Sequence, residues 1–309
     1  MEMRKVFAAE MERLMNKNKK IVLIDADLAK ADGTVPLHKA FPSRTFEAGI
    51  AEANMVGVAA GLSAYGFIPF VTTFTPFATR RVCDQIAVSV AYAQQNVKIV
   101  GTDPGIAAEL NGGSHMSFED IAVLRSIPDM VIFEPVDAEQ LRQALPQIVK
   151  CEKPCYIRMF RKETPDVFTD GKYKFNLFKA DKICDGKDLT IFVSGLCTAD
   201  AIQAKDMLNA EGISVEVINI HTIKPIDEEA IVKSAKKTKA VLTVENHNVI
   251  GGLYSAVTEV LAKNCPVKCD CIGIYDQFGE VGKIPQLKAR YNMTVNDIVA
   301  KAKDLVKNK

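Results

Sequence analysis

Residues 48–79 read AGIAEANMVGVAAGLSAYGFIPFVTTFTPFAT, and from 53 to 79 not one residue is charged. A run of that length could span a bilayer. It also holds Asn54, Ser63, Tyr65, two prolines and four threonines, which describe a buried helix followed by a buried strand. Small residues at Gly57, Ala60, Gly61 and Ala64 let a helix over 51–65 lie close against a sheet or a neighbouring helix. The strand expected over 68–73 follows within a few residues. Outward from this unit the same alternation recurs, with further strands expected at 21–24, 97–101, 130–133 and 155–158. Strands alternating with helix-length segments define an α/β fold built on parallel sheets.

The alternation breaks at 161–187, where Pro165, Gly171, Gly186 and several Lys and Asp residues show no sustained period. A second α/β pattern follows, with strands at 189–194, 214–219, 240–244 and 267–272 and helices at 199–210, 227–236, 252–263 and 294–306. Pro285 is expected to open one further short helix. The reading is two consecutive open, mostly parallel sheet domains covered by helices, over 1–165 and 188–309, with a linker at 166–187. A chain of 309 residues is long enough for two such cores.

Lys plus Arg number 39 against 38 Asp plus Glu, a formal charge of +1, so no global field attracts nucleic acid or an acidic membrane surface. The opening Met1-Glu2-Met3-Arg4-Lys5 has no apolar export core, which points to the cytoplasm. The eight cysteines fall mostly in strand-like apolar contexts and are expected to be reduced thiols. Cys265, Cys269 and Cys271 have no histidine close by in sequence to complete a zinc site.

Four sets of residues could carry chemistry. Glu52 opens an otherwise apolar helix; it either caps that helix through the macrodipole or, buried, shares a proton with a ligand nitrogen. His115, in the glycine turn Asn111-Gly112-Gly113-Ser114-His115, follows a strand end where parallel sheets collect ligands, and either exchanges protons with a substrate or stabilises the turn. Phe74 and Phe77 flank Pro76 and are either core rings or a seat for a flat heterocycle. Arg158 and Arg161 close the last strand of the first half and either hold a phosphate by bidentate hydrogen bonds or are exposed arginines before the linker. No GxGxxG or GxxxxGK pattern occurs, so neither a Rossmann dinucleotide site nor an ATP site is expected.

As a set, these residues resemble the thiamine-diphosphate enzymes of the transketolase family, in their pyrimidine-binding and C-terminal domains. The resemblance runs through Asp25-Ala26-Asp27-Leu28, the run 44–66 centred on Gly49-Ile50-Ala51-Glu52, Thr73-Phe74, Gly112-Gly113-Ser114-His115 and Leu124-Arg125-Ser126-Ile127-Pro128. In the second half it runs through Ile220-His221-Thr222-Ile223-Lys224-Pro225-Ile226-Asp227, Val244-Glu245-Asn246-His247 and Gly251-Gly252-Leu253.

The resemblance implies roles residue by residue. Glu52 matches the glutamate that protonates a ring nitrogen of the cofactor's aminopyrimidine, and Phe74 and Phe77 match aromatics around that ring. His115 matches a histidine at the substrate carbonyl and hydroxyl. Asp27 matches an aspartate near the cofactor and the subunit interface. Arg4 and Arg161 match arginines that bind the sugar phosphate, and Arg158 matches an arginine of deoxyxylulose-phosphate synthase. Departures occur at Asp103, where transketolases have a phosphate-contacting histidine, at Ala31 for a phosphate-binding serine, and at Asn111 for an aspartate that senses a substrate hydroxyl.

The family's diphosphate-binding domain carries a Gly-Asp-Gly motif for magnesium, and no Gly-Asp-Gly occurs here. The resemblance therefore implies the C-terminal subunit of a split transketolase. Its expected partner is an N-terminal subunit carrying the diphosphate-binding domain, with thiamine diphosphate bound between the two, Mg2+ (or Ca2+) held mainly by the partner and no metal ligand from this chain, in an α2β2 assembly built on a core dimer. The expected reaction moves a two-carbon ketol unit between sugar phosphates. A deoxyxylulose-phosphate-synthase-like or 2-oxo-acid-dehydrogenase β-type subunit, and a non-catalytic regulatory paralogue, are the alternative readings.

Overall fold

The computed structural model describes residues 1–169 and 171–309. The chain packs as two compact units, one of residues 1–104 and 123–177, the other of 105–122 and 178–309. Residues 105–122, which the sequence reading places in the first domain, pack with the second unit.

The first unit holds β1 (Ile21–Asp25), β2 (Thr45–Glu47), β3 (Ile68–Phe74), β4 (Lys98–Thr102), β5 (Val131–Phe133) and β6 (Cys155–Met159). These pair in the order β5-β6-β4-β3-β1-β2, every pair parallel. Each residue of β1, β4 and β6 is buried, the charged Asp25, Lys98 and Arg158 included, because both faces of the central strands of a parallel sheet are covered. On one face the helices Met3–Lys17 and Ala138–Lys150 close the core, with Phe7, Met11 and Leu14 meeting Leu141, Leu145 and Ile148. Asp137 starts the second of these helices by accepting the Gln140 amide at 2.8 Å. The helix Glu52–Ala64 packs against β3 with Met55, Val56, Ala59 and Ala60 buried. Of the small residues expected to make the close approach only Ala60 is buried, and Gly57, Gly61 and Ala64 are exposed.

The second unit holds β7 (Asp181–Cys184), β8 (Leu189–Val193), β9 (Val215–Asn219), β10 (Thr222–Lys224), β11 (Ala240–Asn248) and β12 (Lys268–Ile274). Its sheet runs β12-β11-β8-β9-β7, parallel except for β7, which lies antiparallel on β9. The sequence pattern places 181–184 in the linker. An edge strand with partly exposed Asp181 and Lys182 carries no apolar run to announce it. The last helix, Val295–Lys307, is fixed by a capping box between Thr294 and Asp297. All eight cysteines are free thiols. Among the described residues no helix is long and apolar enough to cross a membrane.

Candidate active site

In the first unit the carboxyl ends of β1, β3, β4 and β6 gather the expected side chains. A cleft lined by Lys20, Gly66, Asn96 and Pro154 opens at the opposite, amino ends of these strands and holds none of them. Parallel α/β sheets bind ligands at the carboxyl side, where helix N-termini and loops converge.

Glu52 is the first residue of its helix and is 4% exposed. Its Oε1 accepts from Arg81 Nη1 at 2.7 Å, so the carboxylate is held by a partner from the turn after β3. The Arg81 guanidinium carbon stands 3.8 Å from the centre of the Phe77 ring. Phe77, in the one-turn helix Thr75–Ala78, faces Phe74 at the end of β3, with ring centres 6.3 Å apart and planes tilted by 46°. A second arginine, Arg161, lies 4.7 Å from the Phe74 ring centre. Its Nε and backbone N–H donate to the Asp103 carboxylate at 2.7 and 3.1 Å. Each ring thus carries an arginine, and each arginine is neutralised by a buried acid. Arg81 and this doubled arrangement lie outside the sequence reading; the signal for them is the pair Arg80-Arg81 ending the uncharged run.

Arg4, Ala31 and Asp27 lie in the same unit. The Arg4 backbone N–H donates to Arg161 O at 3.1 Å, and Arg4 Nη1 donates to Ala31 O at 3.0 Å. Arg4, Arg161 and Ala31 therefore form one corner of the unit. Asp27 adopts a left-handed φ of 59°, and its amide donates to Glu47 Oε1, which also accepts from the Gly49 amide. Glu47 so ties the turn after β1 to the approach to Glu52. Beneath them Asp32 accepts from the Thr72 and Thr102 hydroxyls at 2.7 and 2.9 Å, and burial pushes its carboxyl up to about 7.

Arg158 corrects the sequence reading. It lies inside β6 at 1% exposure, with Nη1 2.5 Å from Glu134 Oε1. A guanidinium enclosed in the sheet and paired with a buried acid presents no surface to a sugar phosphate.

Asn111 and His115 belong to the second unit. Asn111 is exposed and His115 half-buried, with Ser114 Oγ 2.9 Å from His115 Nδ1. Gly112 has φ +74°, and a Cβ on Gly113 would stand 2.5 Å from the Gly279 carbonyl oxygen, so this turn requires both glycines.

A buried carboxylate linked through Arg81 to two adjoining aromatic rings suits the pyrimidine half of thiamine diphosphate: one group to hold a proton at a ring nitrogen, two to offer apolar surface to a flat ring. Among the described residues no group of three or more His, Cys, Asp or Glu is placed to hold a metal ion. The residues present fit the ring end of that cofactor.

The fold and the family matches place the chain among thiamine-dependent transferase subunits. Residues 1–166 match the transketolase pyrimidine-binding domain family and residues 178–298 the transketolase C-terminal domain family. The chain is similar to the 6-deoxy-6-sulfo-D-fructose transketolase subunit SqwH of Clostridium sp. (strain MSTE9), with 49% identity covering 95% of this chain and 91% of that one. It is 39% identical to an apulose-4-phosphate transketolase subunit of Phocaeicola vulgatus, covering 98% and 97%. A solved split-gene transketolase, described as an inactive beta4 tetramer, superposes with a TM-score of 0.92 at 42% identity, covering 99% of each chain. The chain belongs to the transketolase family, as a subunit of a split, ketol-transferring transketolase.

Proposed function

We propose that this subunit is active only when joined to an N-terminal subunit bearing the diphosphate-binding domain, and that it supplies the pyrimidine end of a shared thiamine diphosphate site. The observation that carries this reading is the buried Glu52 carboxylate held by Arg81, which packs on Phe77 next to Phe74, in a chain that matches the family's pyrimidine-binding and C-terminal domains. That a split-gene relative is described as inactive when assembled as a beta4 tetramer supports it. The working assembly in this reading is α2β2, in the cytoplasm, with Mg2+ on the partner.

Bound thiamine diphosphate supplies the carbon nucleophile and the electron sink for carbon–carbon cleavage. Glu52 holds the proton at the aminopyrimidine nitrogen, and its burial strengthens that interaction. Phe74 and Phe77 exclude water from the ring. Arg81, whose side chain is 44% exposed, is the counter-ion that Glu52 keeps until the ring arrives. Asp27 lies toward the cofactor and the subunit interface. His115 exchanges a proton with the donor's hydroxyl, and Asn111 hydrogen-bonds the sugar.

The donor in this reading is a ketose with a terminal anion, phosphate or sulfonate, met by Arg4 and Arg161. Asp103 offsets part of the Arg161 charge, so the anion and Asp103 compete for one guanidinium. The relatives named for a sulfonated and a phosphorylated sugar bracket this class. The test is the co-expressed two-subunit complex assayed with thiamine diphosphate and magnesium against xylulose 5-phosphate, a sulfonated ketose, an uncharged ketose and pyruvate. Ketol transfer from an anionic ketose, at least about tenfold above the uncharged one, is expected. A tenfold ratio is about 1.4 kcal/mol, within reach of one charge-assisted contact. Decarboxylation of pyruvate in place of ketol transfer would overturn the assignment.

A further inference from the structure

We propose that the second unit positions the loop that carries Asn111 and His115, and that Asn246 and His247 are the positioning residues. This rests on the reading of His115 as a group that acts on substrate. Glu245, Asn246 and His247 stand in sequence in β11, at 0, 1 and 0% exposure. Three consecutive buried polar side chains are costly unless each meets a partner. Glu245 accepts the first amides of the helix Leu253–Asn264, from Leu253 at 2.6 Å and Tyr254 at 2.8 Å. The other two turn to the loop.

Asn246 Oδ1 accepts the Ile106 amide at 2.9 Å. The approach is so close that a Cβ on Gly105, whose φ is +56°, would stand 2.2 Å from that oxygen. His247 Nε2 faces the amides of Ile121 and Ala122, at 3.2 and 3.4 Å, in the first turn of the helix Asp120–Arg125. Both groups are N–H donors, so Nε2 holds a lone pair and the proton sits on Nδ1, which donates to Asn248 O at 2.6 Å. The Asn248 amide adds a third tie, to Phe118 O at 2.9 Å. One strand end therefore grips residues 106, 118 and 121–122, on both sides of Asn111 and His115. A misplacement of about 1 Å at such a loop can cost on the order of 10²-fold in turnover, though the tie touches no substrate.

The test compares His247→Leu, which removes the acceptor, with His247→Gln, whose amide oxygen can accept in place of Nε2; Asn246→Ala is the second variant should the leucine form not fold. Hydrogen exchange is read over 105–122 in the chain, and kcat, KM and cofactor affinity in the two-subunit enzyme. We expect faster exchange confined to 105–122, kcat lower by about 10²-fold, cofactor affinity unchanged, and recovery of loop protection and kcat in the Gln form. Faster exchange spread evenly through the second unit, or a loosened loop with kcat within twofold of the original, would overturn the proposal. If the unaltered complex transfers no ketol, the functional reading fails, and exchange alone decides whether Asn246 and His247 hold the loop.

Discussion

Glu52→Gln in the assembled enzyme is expected to lower kcat for ketol transfer by about 10²–10⁴-fold, the range for loss of a positioned proton-transfer group. Glutamine keeps the shape and hydrogen-bonding reach of the side chain but cannot hold and return a proton. Because Arg81 is 44% exposed, losing its carboxylate partner should change stability by less than about 1 kcal/mol. Catalysis and folding are therefore separable at this position. Thermal unfolding and cofactor binding should stay near those of the unaltered complex while turnover collapses. Turnover within a few-fold of the unaltered enzyme would remove Glu52 from the reaction and favour its reading as a helix cap.

The second large effect is expected at Arg161. Its partner Asp103 is 3% exposed and has a left-handed φ of 50°, held in place by the Arg161 side chain and backbone amide. Arg161→Met strands that carboxylate, and breaking a buried pair on one side costs about 3–5 kcal/mol. Replacing Asp103 by asparagine as well removes the stranded charge while tolerating the left-handed backbone, so the double variant should recover most of the loss. Both variants should raise KM for an anionic donor by about tenfold or more, the loss of one charge-assisted contact, and leave an uncharged donor unaffected. Denaturant unfolding of Arg161→Met, Asp103→Asn and the double variant gives the coupling as the double's free-energy change minus those of the two singles; a double that equals the sum of the singles would show that the pair is not coupled.

Much of this is legible before the fold. The uncharged run around Glu52 and the strand–helix alternation point to the α/β class, because burial on both faces of a parallel sheet leaves a signature in composition. Glu52, Phe74 and Phe77 stand out because an ionisable group and two rings sit at element ends. Pairings across the sheet are not legible. The link from Arg81 to Glu52 and from Arg161 to Asp103 joins elements distant in sequence, and an arginine in a turn looks the same whether it faces solvent or a carboxylate. Arg158 misleads for the converse reason: a charge at a strand end reads as exposed, whereas Glu134 allows it to be buried. The tie between Asn246-His247 and the loop of His115 is hidden because it spans more than a hundred residues.

The central claim is that this chain holds half of a cofactor site. The direct measurement is ketol transfer from an anionic ketose, with thiamine diphosphate and magnesium, by this chain alone, by the diphosphate-domain subunit alone and by their mixture at increasing mole ratio. Neither chain alone is expected to give transfer above background, and activity is expected to rise with the second subunit until the two are equimolar. Enzyme-like transfer by this chain alone would contradict that claim.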